Sequence, residues 1–251
     1  MTFLGLWLAD GSYSPQRVGL SCANDPECLK IVRIIADRFE GKLTVEDNGV
    51  DCNINSTSLQ RAMIELGFVG NSSTKRVPQL IYNLNEEQLS SFLSGYFSGD
   101  GFVSKKCVGS YSTNDKLNHD IQSLLLALGI LSNISSAGYE KGSKKHSLRI
   151  YSRCELEKFQ KKVNFIQKAK RVKLREILTK LNGKKRNGIN VRGIPHSTFF
   201  EGNSVLKRKL GKYRLCIPHA SKSAGIVYSC RTFDRELLKG IPEFVALHNS
   251  E

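Results

Sequence analysis

Two aspartates occupy positions where their type and spacing could do chemistry. Asp10 ends an apolar stretch within Phe3–Ser12 (FLGLWLADGS), and Asp100 ends another within Leu93–Phe102 (LSGYFSGDGF). Each is followed by glycine. Gly5 matches Gly95, Asp10 matches Asp100 and Gly11 matches Gly101, all at an offset of 90 residues. A single Asp-Gly after an apolar run is ordinarily a helix end or a turn. Two in register signal an internal repeat. Gly5 and Ala9, like Gly95 and Gly99, lie four residues apart, on one face of a helix, which lets two helices approach closely. Side-by-side packing would bring the two aspartates together. Carboxylates held close repel, so one tends to stay protonated unless a divalent cation relieves the pair. Mg²⁺ prefers oxygen ligands and retains water. Metal ions between carboxylates can stabilise the attacking and leaving oxygens of a phosphodiester. The carbonyls at a helix C-terminus also favour a cation.

The elements that would position this pair follow from the same repeat. Asn24-Asp25 matches Asn114-Asp115 at the offset of 90, with apolar helical spacing after each, at Ile31, Ile34 and Ile35 and at Ile121, Leu124 and Leu125. Asn53-Ile54-Asn55-Ser56 resembles Arg149-Ile150-Tyr151-Ser152. The expected helices Leu59–Leu66 and Glu155–Val163 follow, and each leads to a basic cluster, Lys75-Arg76 or Lys168-Ala169-Lys170-Arg171. Each unit reads as helix, two strands, helix, two strands, helix. Expected strands are Arg17–Ser21, Lys42–Glu46 and Asp51–Asn55, then Val103–Tyr111, Asn133–Gly138 and Ser147–Tyr151. Asp47-Asn48-Gly49 and Lys141-Gly142-Ser143 supply turns, and a helix Val172–Leu181 closes the second unit. The expected organisation is a first repeat at 1–90, a second at 91–181 and a basic extension at 182–251.

Lys plus Arg number 38 against 23 Asp plus Glu, a net charge of +15. A surplus of this size points to a polyanion. It is unevenly placed, with residues 1–90 at net −3, 91–180 at +10 and 181–251 at +8. The 40% apolar and 24% charged composition is that of a globular chain. No apolar run approaches the ~20 residues that cross a bilayer. Asp10 interrupts the apolar N-terminus, so a secretory signal is not expected, and the chain reads as intracellular and not secreted, cytoplasmic or nuclear by host. The seven cysteines are scattered without C-x-x-C and read as free thiols rather than a disulfide framework.

FLGLWLADGS and LSGYFSGDGF resemble the two motifs of LAGLIDADG homing endonucleases, in the two-repeat, single-chain form. The resemblance covers about residues 3–180 and includes the segment Lys75-Arg76-Val77-Pro78 before the second motif. Trp7 and Tyr96-Phe97 replace smaller aliphatic residues. The resemblance implies an α+β fold of two pseudo-symmetric αββαββα repeats, with saddle-shaped antiparallel sheets that lie in the DNA major groove. It implies a monomer that cuts double-stranded DNA with Mg²⁺, for which Mn²⁺ substitutes, and without membrane partners. Asp10 and Asp100 become the metal ligands, helped by the Ala9 and Gly99 carbonyls. Lys75 and Lys170 become the basic residues near each scissile phosphate, with Lys168 as a fallback, to polarise water or stabilise transition-state charge. A relative that binds DNA or RNA without cutting it, such as an intron maturase or a regulator, is the alternative.

DNA readers are expected on strands, at alternating positions on one face. The candidates are Arg17, Lys42, Asn53, Asn55, Lys105, Lys106, Lys144, Lys145, Arg149 and Arg153. In the extension, His248-Asn249-Ser250 resembles the C-terminal splice junction of inteins, where Asn cyclises with help from His and Ser is the acyl acceptor. FLGLWLADG is similar to the intein-embedded form of the motif. An N-terminal splicing half is not found, so the chain alone would not splice. Cys216, His219, Cys230 and His248 have poor spacing for zinc.

Overall fold

The computed structural model describes residues 1–140 and 143–182. The first repeat runs α1 (Thr2–Asp10), β1 (Gly11–Ser14), β2 (Arg17–Leu20), α2 (Pro26–Arg38), β3 (Lys42–Val45), β4 (Cys52–Asn55) and α3 (Thr57–Glu65). After a 3-10 turn, Gln79–Asn83, the second runs α4 (Glu86–Gly99), β5 (Gly101–Val103), β6 (Val108–Ser112), α5 (Asp115–Ala127), β7 (Asn133–Glu140), β8 (Ser143–Ile150) and α6 (Arg153–Lys162). Helix α7 (Lys168–Asn182) follows. The strands form two antiparallel four-stranded sheets with one topology, β1-β2-β4-β3 and β5-β6-β8-β7. The α+β double repeat is therefore as expected. Residue 90 falls inside α4, so the junction between repeats lies earlier than the expected boundary.

Local chemistry explains the helix starts. Asp25 accepts from the Cys28 N–H and Pro26 opens α2. Ser56 caps α3, Asn85 and Gln88 form a reciprocal capping box on α4, Asn114 caps α5 and Ser152 caps α6. Ser56 and Ser152 confirm the register read from Asn53–Ser56 and Arg149–Ser152. The α2/α5 match needs a one-residue correction. The structural equivalents are the caps Asp25 and Asn114, and the buried residues are Cys28, Val32 and Ala36 against Leu117, Ile121 and Leu125. Ile34 is exposed instead. The second repeat is one residue shorter between β6 and α5, which the matching Asn-Asp pairs conceal.

The core gathers around α1 and α4. Trp7, Leu6, Leu8, Phe92, Tyr96 and Phe97 are fully enclosed. A Cβ on Gly5 would stand 1.9 Å from the Phe92 carbonyl oxygen, and one on Gly95 would stand 2.0 Å from that of Thr2. The two helices thus meet backbone to backbone, with glycine as the residue that permits it.

Three strand readings change. Strand β1 fills the first strand position of the expected pattern, but its range was not legible because Gly11–Ser14 is short and not apolar. Val103–Tyr111 is a hairpin, closed where the Ser104 N–H donates to the Cys107 carbonyl at 2.9 Å. Strands β7 and β8 extend further toward each other than expected, with a register shift between Ser136 and Tyr139 and Gly138 at φ +95°. Gly49 takes φ +65° in the turn after β3, as its sequence suggested. Cys22, Cys28, Cys52 and Cys107 are buried free thiols, and Cys154 is partly buried. No helix among the described residues is long and apolar enough to cross a membrane. Residues 183–251, with Cys216, His219, Cys230 and the His248-Asn249-Ser250 ending, lie outside the described residues, as does most of the Lys141-Gly142-Ser143 turn.

Candidate active site

Helices α1 and α4 run into glycine, and their C-terminal ends lie together. A Cβ on Gly99 would stand 2.5 Å from the Ala9 Cβ and 2.9 Å from Asp10 Oδ2. Asp10 therefore overlies the last turn of α4, next to Asp100. Burial raises the Asp100 pKa to about 7; the Asp10 charge adds to the rise, and Lys75, Lys170 and Lys145 oppose it. Asp10 is also raised, first by burial, against the pull of Lys75 and Lys170. Desolvation outweighs the lysine charges at both carboxylates, so each loses stability on ionising and gains from a bound cation.

The lysines complete a pseudo-two-fold arrangement. Lys75 Nζ donates to the carbonyls of Trp7 at 3.0 Å, Leu8 at 3.2 Å and Gly11 at 2.7 Å. Lys170 Nζ donates to those of Ser98 at 2.7 Å and Gly99 at 3.3 Å. Leu8 and Ser98 are equivalent in the repeat, so each lysine closes the end of its own motif helix. Lys170 lies in the first turn of α7 and reaches the end of α4, whereas Lys168 is exposed. Lys75 is only 3% exposed and its ammonium lies 4.6 Å from the Trp7 ring centre. Burial lowers its pKa to about 8 despite Asp100 and Asp10, and burial likewise lowers Lys170.

The donor set suits a hard cation. Among the described residues no group of three or more His, Cys, Asp and Glu side chains could hold a metal. What gathers instead is two carboxylates at the joined helix ends, oxygen donors of the kind a hard cation takes.

The sheets sort the remaining candidates. Asn55 pairs with Arg17 on one side and Lys42 on the other, and Asn53 pairs with Gly19 and Thr44. Arg17, Lys42, Asn53 and Asn55 therefore share one face of the first sheet, opposite Val18, Ile54 and Leu43. Asn53 Nδ2 donates to Glu46 at 2.5 Å. In the second sheet Arg149 pairs with Gly109 and Asn133. Its guanidinium lies 6.0 Å from the Phe102 ring centre and 5.8 Å from that of Tyr111, and it donates to the Tyr111 and Tyr151 hydroxyls. Phe102 and Tyr111 are stacked at 4.6 Å, with Lys145 Nζ 4.8 Å from the Tyr111 centre. The sequence reading missed this aromatic bed, because it depends on cross-strand register. The Lys144 backbone pairs with Tyr139. Lys105 and Lys106 are exposed in the β5–β6 hairpin connection rather than on a strand. Arg153 is off the sheet: it opens α6 and pairs with Glu157 at 2.7 Å.

Residues 87–164 match the LAGLIDADG-like domain family. The chain is 29% identical to a DNA polymerase of Thermococcus hydrothermalis over 99% of its own length but 15% of that protein's. It is 29% identical to the iron-sulfur cluster assembly SufBD family protein ML0593 of Mycobacterium leprae over 51% of its length, again 15% of that protein's. It is 27% identical to the DNA-directed RNA polymerase subunit Rpo1C of Methanocaldococcus jannaschii over 73% of this chain and 21% of that one. The chain thus spans about a fifth or less of these relatives. Among solved structures, I-DmoI in complex with DNA and Mn is similar at TM-score 0.50 and 16% identity, over 64% of this chain and 93% of that one. Full-length DUF199/WhiA from Thermotoga maritima is similar at TM-score 0.50 and 14% identity, over 85% of this chain and 66% of that one. At these identities the structural likeness speaks to fold alone. Together with the helix crossing and the duplicated sheet topology, it shows that this chain carries a LAGLIDADG-like domain within a two-repeat LAGLIDADG fold.

Proposed function

We propose that the chain is a divalent-metal-dependent endonuclease that binds double-stranded DNA as a monomer and hydrolyses one phosphodiester in each strand. The observation that carries this reading is the joined C-terminal ends of α1 and α4, with two desolvated carboxylates and one lysine at each helix end. Asp10 and Asp100, with the Ala9 and Gly99 carbonyls, would hold Mg²⁺ or Mn²⁺, which supplies Lewis acidity and a more acidic water. The similar I-DmoI structures were solved with Mn, Mg or Ca. The protein's own groups then do three things. The aspartates present anionic oxygens without reorganisation, because their helices are locked by backbone contact. Lys170 keeps one of its three ammonium protons free of the Ser98 and Gly99 carbonyls and can direct it to a phosphate oxygen or water. Lys75 spends all three on carbonyls, so its contribution is positive charge beside the carboxylates rather than a direct hydrogen bond. The Arg17, Lys42, Asn53 and Asn55 face and the Lys145 and Arg149 face would take up bases and phosphates, joined by Lys105 and Lys106 from the hairpin.

Cleavage of a plasmid library of random targets with Mg²⁺, beside an Asp100→Asn control, tests the reading. Tight binding without nicking by the parent chain would instead establish a non-cleaving DNA- or RNA-binding protein, such as an intron maturase or regulator. A second reading concerns context. The relatives are unlike in name, yet each shares with this chain a segment that is a small part of its length. That pattern favours a unit carried within unrelated proteins, and with His248-Asn249-Ser250 it supports an intein-derived nuclease. Mass spectrometry of this chain joined to an N-terminal splicing half, with Asn249→Ala as control, tests it by the appearance of a spliced product.

A further inference from the structure

Lys75 and Lys170 are alike at the ammonium but not at the backbone. Lys170 belongs to α7, whose own hydrogen bonds fix it. Lys75 to Pro78 belong to no helix or strand. Much of what holds them comes from α5 of the other repeat. Asn114 Nδ2 donates to the Lys75 carbonyl at 2.6 Å. The Asp120 carboxylate accepts from Arg76 Nε at 2.6 Å and Arg76 Nη2 at 2.7 Å, and from the Val77 N–H at 3.1 Å. Asp120 is 6% exposed, whereas the Arg76 side chain is 52% exposed. A buried carboxylate with three donors, two of them in a guanidinium fork, is a directional anchor. An exposed ion pair would not be one.

We propose that Asp120 is a positioning residue: from the second repeat it fixes the linker that carries Lys75, and so sets the charge beside the first repeat's half of the site. This rests on the endonuclease reading for its effect on catalysis, but not for its effect on Lys75. Loss of the anchor frees the linker, and Lys75 Nζ leaves the Trp7, Leu8 and Gly11 carbonyls. Lys170, held in α7, stays where it is. The two half-sites would then differ, and one DNA strand would be cut more slowly than the other.

The test uses the full chain and three variants, Asp120→Asn, Arg76→Ala and Arg76→Lys, all at a temperature where circular dichroism shows them folded. Brief acylation with acetic anhydride, read by peptide mass spectrometry, reports on each lysine without any need for cleavage. Lys75 should be protected in the parent and acylated several-fold faster in Asp120→Asn and Arg76→Ala. Lys170 should be unchanged, and Arg76→Lys should recover part of the protection. Unchanged Lys75 reactivity in Asp120→Asn, or a parallel rise at Lys170, would overturn the proposal. With a cleavable plasmid, Asp120→Asn should accumulate nicked circles, one strand being slowed about ten- to a hundred-fold more than the other. Equal slowing of both strands would overturn it too. A parent that cuts nothing would refute the endonuclease reading, and the acylation result would then decide the anchor by itself.

Discussion

Gly5→Ala is a methyl group placed where a carbonyl oxygen already stands. The new Cβ would lie 1.9 Å from Phe92 O, and the partner helix must retreat by about 1 Å before even an unusually short contact is reached. Helix propensity alone would make the substitution stabilising by about 1 kcal/mol. Overpacking against backbone, which cannot rotate away as a side chain can, costs about 3 kcal/mol. The clash wins, and a net loss of about 2 kcal/mol should lower Tm by roughly 4–8 °C for a domain of this size. The functional cost should be larger in proportion. A displacement of about 1 Å between reacting groups can cost about a hundred-fold in rate. Gly95→Ala should match it, since its Cβ would stand 2.0 Å from Thr2 O. The control is Gly49→Ala. Its site is open, with no atom within 4 Å, but φ is +65°, so alanine there costs about 1–2 kcal/mol by backbone strain. The two variants should melt alike while only Gly5→Ala loses cleavage. Differential scanning calorimetry and plasmid cleavage read these separately. A Gly5→Ala protein that melts at or above the parent, or that cuts as well as Gly49→Ala, would refute the reasoning.

Three further outcomes are expected. Asp10→Asn and Asp100→Asn should each nearly abolish Mg²⁺-dependent cleavage while DNA binding persists, and Ca²⁺ should support binding with little cutting in a gel-shift and nicking pair. A fully active Asp10→Asn beside a dead Asp100→Asn would show that the two do not share one centre. The second outcome concerns pH. The Asp100 pKa is raised to about 7 from 3.8, so the folded state holds a proton that the unfolded chain has lost. Its ionisation therefore costs folded stability progressively as pH rises from 3.8 to about 7, and fully above that. In EDTA, Asp100→Asn should be more stable than the parent at pH 8, with the gap closing toward pH 4; urea titrations across that range check the sign. Third, Arg149→Ala should reduce the slope of log K against log salt by about one, whereas Asn53→Ala should change base preference and leave the slope alone. Fluorescence anisotropy at several salt concentrations separates the two.

The motif helices, their aspartates and the equivalence of Lys75 with Lys170 were legible in the sequence because repetition supplied a second reading of each. Two glycines at one offset say more than either glycine does. The same reasoning misled at α2. Asn24-Asp25 and Asn114-Asp115 agree letter by letter, yet a one-residue contraction before α5 shifts the equivalence, and only the buried set Cys28, Val32 and Ala36 reveals it. Arg153 looked like a strand residue because it lies just past the expected strand Ser147–Tyr151, but Ser152 is a helix cap and turns the chain. The Phe102, Tyr111 and Arg149 cluster and the Asp120 anchor were out of reach for a different reason. Each joins residues about 40 positions apart through a register or a helix face that no local pattern encodes.

The crossing of α1 and α4 also limits how the protein can change over generations. Where two side chains meet, an enlargement of one can be answered by a reduction of the other, and such pairs drift together. At Gly5 and Gly95 the opposing surface is the carbonyl of Phe92 or of Thr2. Every amino acid brings the same carbonyl, so no replacement at Phe92 or Thr2 can make room. The closest approach in the core should therefore leave no paired-substitution trace between the positions that form it, and a genetic suppressor of Gly5→Ala should have to arise away from the contact.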